Sequence, residues 1–107
     1  MPDFPFENRI FDPHETLGRD ALRALQAERL AETVRRAASV PHYRQVFDRE
    51  GIDPDRIRTP DDVRRLPFTT KADLREGYPL GFLAVDREDI ARIHGSSGTT
   101  GRPTFVA

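Results

Sequence analysis

The sequence contains no cysteine, which excludes a disulfide framework and any metal site built on thiolates. It also has no excess of one charge, since 17 basic and 18 acidic residues leave a net charge of −1. A positively charged face for a nucleic acid is therefore not expected. No apolar run reaches the length of a membrane span, and the acid- and proline-rich start is unlike a signal peptide. These absences predict a cytoplasmic protein without nucleic-acid or membrane partners.

Material for a hydrophobic core is scarce as well. The chain has 107 residues, of which 33% are charged and 36% hydrophobic, so it spans one domain at most and buries little apolar surface of its own. Seven phenylalanines, two tyrosines and a low net charge nevertheless argue against disorder. We interpret the chain as a segment that folds and packs against further parts of a protein.

Helical signals dominate the first 89 residues. Leucine, valine and alanine recur at three- and four-residue spacings from Arg19 to Ser39, which predicts a long amphipathic helix. A second helix is predicted from His42 to Glu50, between Pro41 and Gly51. Shorter helical turns are predicted where capping residues precede a proline or an acid, at residues 12–15, 53–55, 59–62, 70–73 and 86–89.

The end of the chain has a different pattern. Residues 90–94 alternate as a strand should, and residues 104–107 are β-prone. The predicted fold class is therefore an α+β fragment, in which several N-terminal helices are followed by a strand, a loop and a strand. We divide it into an arm (1–15), a helical region (16–89) and a strand–loop–strand unit (90–107). Because the sequence stops inside a β-prone run, we expect a truncated N-terminal piece of a longer protein.

The glycine-rich loop between the predicted strands carries the chemistry. Glycines at 95, 98 and 101 let backbone N–H groups converge on an anion, and hydroxyls and a guanidinium add further donors. No acid lies in this segment, which suits a polyphosphate. The spacing matches neither the Walker motif nor G-x-G-x-x-G. The candidate phosphate-binding residues are Ser96, Ser97, Gly98, Thr99, Thr100, Gly101 and Arg102.

The run from Ser96 to Thr104 resembles the signature loop of the adenylate-forming superfamily, and its Pro-Thr ending resembles the phenylacetate–CoA ligase family within it. Many superfamily members carry lysine where this chain has Thr104. The family usually has lysine at the position of Arg102, where arginine keeps the charge but changes its geometry. Further runs similar to that family, in the same order, cover most of the chain at residues 40–44, 66–75 and 78–81.

The resemblance implies a parent protein of the α/β adenylate-forming fold that joins a carboxylic acid to coenzyme A. It implies ATP, Mg²⁺ and coenzyme A as substrates and cofactors, an aromatic acid similar to phenylacetate, and a homodimer. The loop would hold the β- and γ-phosphates of ATP. The main catalytic residues and the acidic ligand of Mg²⁺ are expected beyond Ala107, so residues 1–107 alone are expected to be inactive.

Two other functions stay open at this point. One is an adenylating enzyme whose acceptor is not coenzyme A, and the other is a small, non-catalytic helical interaction module. The remaining polar candidates have structural interpretations. Lys71 and its neighbours are expected to start a helix, and the three histidines at 14, 42 and 94 are too scattered for a metal site. His94, next to the loop, is the one histidine worth testing.

Overall fold

The computed structural model describes residues 9–97 and 103–107. The described part is mostly helical, with one two-stranded antiparallel sheet. Its helices are α1 (Arg19–Ala38), α2 (Pro41–Glu50) and α3 (Lys71–Glu76), its strands are β1 (His94–Gly95) and β2 (Phe105–Val106), and its 3₁₀ turns are Pro13–Thr16, Pro54–Arg56, Pro60–Arg65 and Arg87–Asp89. None of the helices in residues 9–97 and 103–107 combines the length and hydropathy needed to span a bilayer.

Local backbone chemistry sets the helix boundaries. Pro41 occupies the first turn of α2, where its missing N–H costs no hydrogen bond, and Gly51 ends this helix in the left-handed conformation with φ 66°. Threonine–aspartate capping boxes open both the 3₁₀ turn Pro60–Arg65 and α3. The predicted helices and turns are confirmed.

The predicted strand over residues 90–94 is wrong. Residues 90–93 have no regular structure, and β1 begins only at His94. Alternation of apolar residues is a local signal, whereas a strand exists only where a partner strand completes its hydrogen bonds. Here β2 pairs only with His94 and Gly95. Ile93, which lacks such a partner, remains 56% exposed.

A small apolar cluster holds the helical region together. Val34 of α1, Phe47 of α2 and Ile57 are buried in this cluster, and Ile57 is only 1% exposed. Partly buried apolar side chains surround them, namely Leu30, Ala38, Tyr43, Ile52 and Leu66. The predicted apolar face of α1 is thus confirmed at Leu30 and Val34.

Other large apolar side chains face solvent. Phe68 is 98% exposed, Phe11 is 86% exposed and Ile10 is 63% exposed. These exposed side chains agree with the interpretation that the chain packs against more protein. Residues 1–8 of the predicted arm lie outside the described residues.

Replacing Ile57 by alanine is expected to lower the free energy of unfolding by about 2–4 kcal/mol, because a nearly inaccessible side chain leaves a cavity behind. Urea unfolding followed by circular dichroism measures the change. The matched control is Ile93→Ala, which removes the same atoms from a half-exposed site and should cost about 0.5 kcal/mol or less. Equal losses in the two variants would contradict the assignment of the core.

The capping carboxylate of Asp62 makes stability depend on pH. Backbone N–H groups of Arg58 and Thr59 donate to Asp62 Oδ2 at 2.9 Å each, and these hydrogen bonds lower the pKa of Asp62. Because the folded-state pKa is lowered, the ionised Asp62 carboxylate contributes its full stabilisation of the folded state above the ordinary aspartate pKa of about 3.9. The contribution is lost as the pH falls through the folded-state pKa.

We therefore expect Asp62→Asn to lower the melting temperature at neutral pH, and the difference from the wild type to shrink towards about pH 2. Thermal melts at both pH values measure it. Asp86→Asn is the matched control, because Asp86 also precedes a 3₁₀ turn but its side chain makes no capping hydrogen bond. A difference for Asp62→Asn that stays the same at both pH values would refute this explanation.

Candidate phosphate-binding site

The two ends of the glycine-rich loop are held side by side by β1 and β2. In this antiparallel pair His94 lies opposite Val106, and Gly95 lies opposite Phe105. One residue closer to the loop, the Ser96 N–H donates to the carbonyl oxygen of Thr104 at 2.8 Å. We call this Ser96–Thr104 pair the neck of the loop. The chain enters and leaves the predicted phosphate site from adjacent positions.

The side chain of Ser96 closes the neck a second time. Its Oγ accepts a hydrogen bond from the Thr104 N–H at 3.0 Å. A serine hydroxyl has one donor and two acceptor lone pairs, so its own O–H is still able to donate to an anion. Ser96 is exposed to solvent. It can therefore fix the loop ends and offer a hydrogen bond to a phosphate at the same time.

The structure describes only part of the predicted site. Ser97 follows the neck and is exposed. The other candidates lie outside the described residues, and their assignment to phosphate stays a prediction: Gly98, Thr99, Thr100, Gly101 and Arg102.

A cavity of about 230 Å³ lies beside the outgoing end of the loop. Three of its lining residues follow the loop and three belong to the end of α3 and the turn after it: Pro103, Thr104, Phe105, Leu74, Arg75 and Tyr78. Its walls are mostly apolar, and Arg75 is the charged residue among those that line it. Sequence analysis did not assign Arg75 to the site, because no local pattern indicates that α3 ends next to the loop.

Gly95 has a steric role that sequence analysis missed. A Cβ atom at Gly95 would lie 2.7 Å from Cε1 of Phe105, which is too close for a carbon–carbon contact. The Phe105 ring also packs against the ring of Tyr78, with centroids 5.4 Å apart at an interplanar angle of 57°. Glycine at this position thus lets the Phe105 ring lie against the backbone just outside the neck.

The other polar candidates have structural positions. Lys71 is exposed on the first turn of α3, and Thr70 forms the predicted capping box with Asp73. The ring of His42 contacts two aromatic rings, and His94 is exposed in β1. In the part of the chain that the structure describes, no three histidine or acidic side chains come together as a metal site.

Comparison with known proteins gives several relatives, although no family model matches the chain. A phenylacetate-coenzyme A ligase of Aromatoleum evansii is 53% identical over 96 residues, which are 89% of this chain and 22% of the relative. The ligase of the same name from Thermus thermophilus is 54% identical over 93 residues, 86% of this chain and 21% of the relative. The one from Escherichia coli is 50% identical over 100 residues, 92% of this chain and 23% of the relative.

The chain therefore spans about a fifth of the length of these curated relatives. Within that fifth, about half of the residues are identical, and the matches cover 86–92% of this chain. The predicted resemblance of the chain to the phenylacetate–CoA ligase family is thereby confirmed. Over about nine-tenths of its length the chain is similar to phenylacetate-coenzyme A ligases.

Proposed function

We propose that this chain is the phosphate-binding N-terminal part of an AMP-forming acid–CoA ligase, whose full-length form we call the parent enzyme. The observation that carries the proposal is the 46–54% identity to four phenylacetate-coenzyme A ligases over about nine-tenths of the chain. The closed neck of the loop supports it. We propose that the parent enzyme has the α/β adenylate-forming fold, with residues 1–107 in its large domain, and activates an aromatic acid of the phenylacetate class.

The proposed reaction has two steps. A carboxylate oxygen of the acid attacks the α-phosphorus of ATP, and the bond from that phosphorus to the bridging oxygen breaks. The products are an acyl-adenylate and pyrophosphate. The thiol sulfur of coenzyme A then attacks the acyl carbon and loses its proton, and AMP leaves with the electron pair of the broken carbon–oxygen bond. The final product is the acyl thioester.

The loop would act in the first of these steps. Negative charge accumulates on the pyrophosphate as it departs, and donors that are already oriented towards this charge lower the barrier. The Ser96 O–H, the loop amides, the hydroxyls of Thr99 and Thr100, and the guanidinium of Arg102 are the proposed donors. A hydrogen bond to a charged group contributes on the order of 1.5–3 kcal/mol, so a few of them alter the rate strongly.

The loop fits the phosphates of ATP better than it fits Mg²⁺. Residues 95–103 include no carboxylate, whereas Mg²⁺ is held in proteins by carboxylate oxygens. When bound, Mg²⁺ would neutralise part of the triphosphate charge, and we place its protein ligand outside residues 1–107. The sites for adenine, the acyl group and coenzyme A are placed there too. For this reason we expect residues 1–107 alone to lack ligase activity.

The proposed setting is the cytoplasm, with the acid, ATP and coenzyme A as small-molecule partners and a homodimer as the assembled form. The near-balanced charge of the chain gives no support for a nucleic-acid partner.

Thr100→Ala in the parent enzyme is expected to lower kcat/KM for ATP by roughly 10- to 100-fold, the loss of one hydrogen bond to a charged phosphate. Phenylacetate-dependent exchange of labelled pyrophosphate into ATP measures it. The matched control is Thr16→Ala, which removes a hydroxyl that donates to the Pro13 carbonyl oxygen far from the loop in sequence. A Thr100→Ala enzyme with wild-type exchange kinetics would count against a phosphate role for the loop.

The same assay separates the other functions. Exchange without formation of phenylacetyl-CoA would indicate an adenylating enzyme with another acceptor. A folded parent protein that binds neither ATP nor pyrophosphate would indicate the interaction module.

A further inference from the structure

Among the described residues, an aromatic contact links the hairpin that carries the loop to the helical region. The ring of Phe105 in β2 lies against Gly95 on one side and packs against Tyr78 on the other. Tyr78 follows Gly77, the residue that caps the end of α3, and its N–H donates to the carbonyl oxygen of Arg75 at 3.2 Å. The position of β2 is therefore tied to the C-terminal end of α3.

The end of α3 is itself fixed to α2. Gly77 ends α3, and a Cβ there would lie 2.6 Å from the ring carbons of Phe82. The Phe82 ring packs on His42 and Tyr43 of α2, with centroid distances of 4.9 and 5.6 Å. Ring contacts thus join Phe82 to α2 and join Tyr78 to Phe105, and the backbone at Gly77 and Tyr78 connects the two sets of contacts. We call the contacts among Tyr78, Phe105 and Gly95 the brace.

The brace lies where it controls the geometry of the loop. Gly95 and Phe105 face each other in the strand register, and the next pair towards the loop is the neck of Ser96 and Thr104. A two-stranded hairpin is only marginally stable by itself, so its amides keep a fixed direction only when the hairpin is packed against something. The brace supplies that packing among the described residues.

Removing the brace should leave the fold of the helical region intact. Tyr78 is 61% exposed, and neither Tyr78 nor Phe105 belongs to the buried cluster of Val34, Phe47 and Ile57. Loss of the Tyr78 ring would therefore loosen the hairpin without opening the core. This separation makes a positioning role distinguishable from a general stabilising role.

We propose that Tyr78 and Phe105 are positioning residues that orient the loop for the β- and γ-phosphates of ATP. The inference rests on the proposed function and deepens it, because it names the residues that act on phosphate through the loop rather than by contact. We expect the ring of Tyr78, and not its hydroxyl group, to position Phe105. The Tyr78 ring makes the contact with Phe105, and among residues 9–97 and 103–107 its hydroxyl has no hydrogen-bond partner, so phenylalanine should serve equally well at position 78.

The test uses the parent enzyme with Tyr78→Ala, Tyr78→Phe and Phe105→Leu. Phenylacetate-dependent ATP–pyrophosphate exchange gives KM for ATP and for pyrophosphate. Thioester formation from synthetic phenylacetyl-adenylate and coenzyme A measures the second step, which needs no pyrophosphate site. We expect both KM values to rise on the order of tenfold in Tyr78→Ala and Phe105→Leu, because small displacements of positioned groups have large effects. The second step should change by less than about twofold, and Tyr78→Phe should restore wild-type KM values.

A second readout does not depend on turnover. Hydrogen–deuterium exchange of the Ser96 and Thr104 amides should accelerate in Tyr78→Ala and not in Tyr78→Phe, while exchange in α1 stays unchanged. If the wild-type enzyme is active and Tyr78→Ala has unchanged KM values for ATP and pyrophosphate, the inference is overturned. It is also overturned if Tyr78→Ala slows both half-reactions to the same extent and accelerates exchange of the α1 amides as well. A wild-type parent enzyme without any exchange activity would instead overturn the proposed function, and this inference with it.

Discussion

The pair of hydrogen bonds between Ser96 and Thr104 is the constraint on which the candidate site depends. One bond joins the Ser96 N–H to the Thr104 carbonyl oxygen, and the other joins the Thr104 N–H to Ser96 Oγ. Together they satisfy both backbone groups of Thr104 and bring the two ends of a glycine-rich segment to adjacent positions. A loop closed in this way can hold several N–H groups around one anion, because its ends no longer move independently.

The rest of the described chain can be understood as support for this neck. Capping boxes and a left-handed Gly51 fix short helices that have few apolar contacts, and one small cluster around Ile57 joins α1 to α2. Phe82 then joins α2 to the end of α3, which contacts β2. Because so few apolar side chains are buried, Phe11 and Phe68 remain exposed. It suits a segment that spans about a fifth of the length of its relatives.

The sequence allowed the helices and turns to be predicted because their signals are local. Pro41 and Gly51 fix the two ends of α2, and Thr70 with Asp73 fixes the start of α3, each through groups within a few residues. The strand over residues 90–94 was predicted wrongly because strand length depends on a distant partner, and β2 reaches only His94 and Gly95. The contact of Tyr78 with Phe105 was missed for the same reason, since no periodicity links α3 to β2.

For the candidate site, too, the sequence indicated the residue types but not their contacts with distant residues. Ser96 was predicted as a phosphate ligand from its hydroxyl, but its hydrogen bond with Thr104 becomes visible only when the strands are paired. Gly95 was assigned to the loop for its conformational freedom, whereas the structure indicates a steric need for close approach of the Phe105 ring. Resemblance identified the related ligases correctly, and the folded chain added how the two ends of the loop are held.

Phosphate binding by residues 96–101 is tested most directly by a crystal structure of the parent enzyme bound to ATP. We expect β- or γ-phosphate oxygens to lie about 2.7–3.2 Å from amide nitrogens and hydroxyl oxygens of residues 96–101, with the Ser96–Thr104 hydrogen bonds intact. A bound triphosphate whose oxygens contact other parts of the enzyme and leave residues 96–101 without a phosphate contact would contradict it.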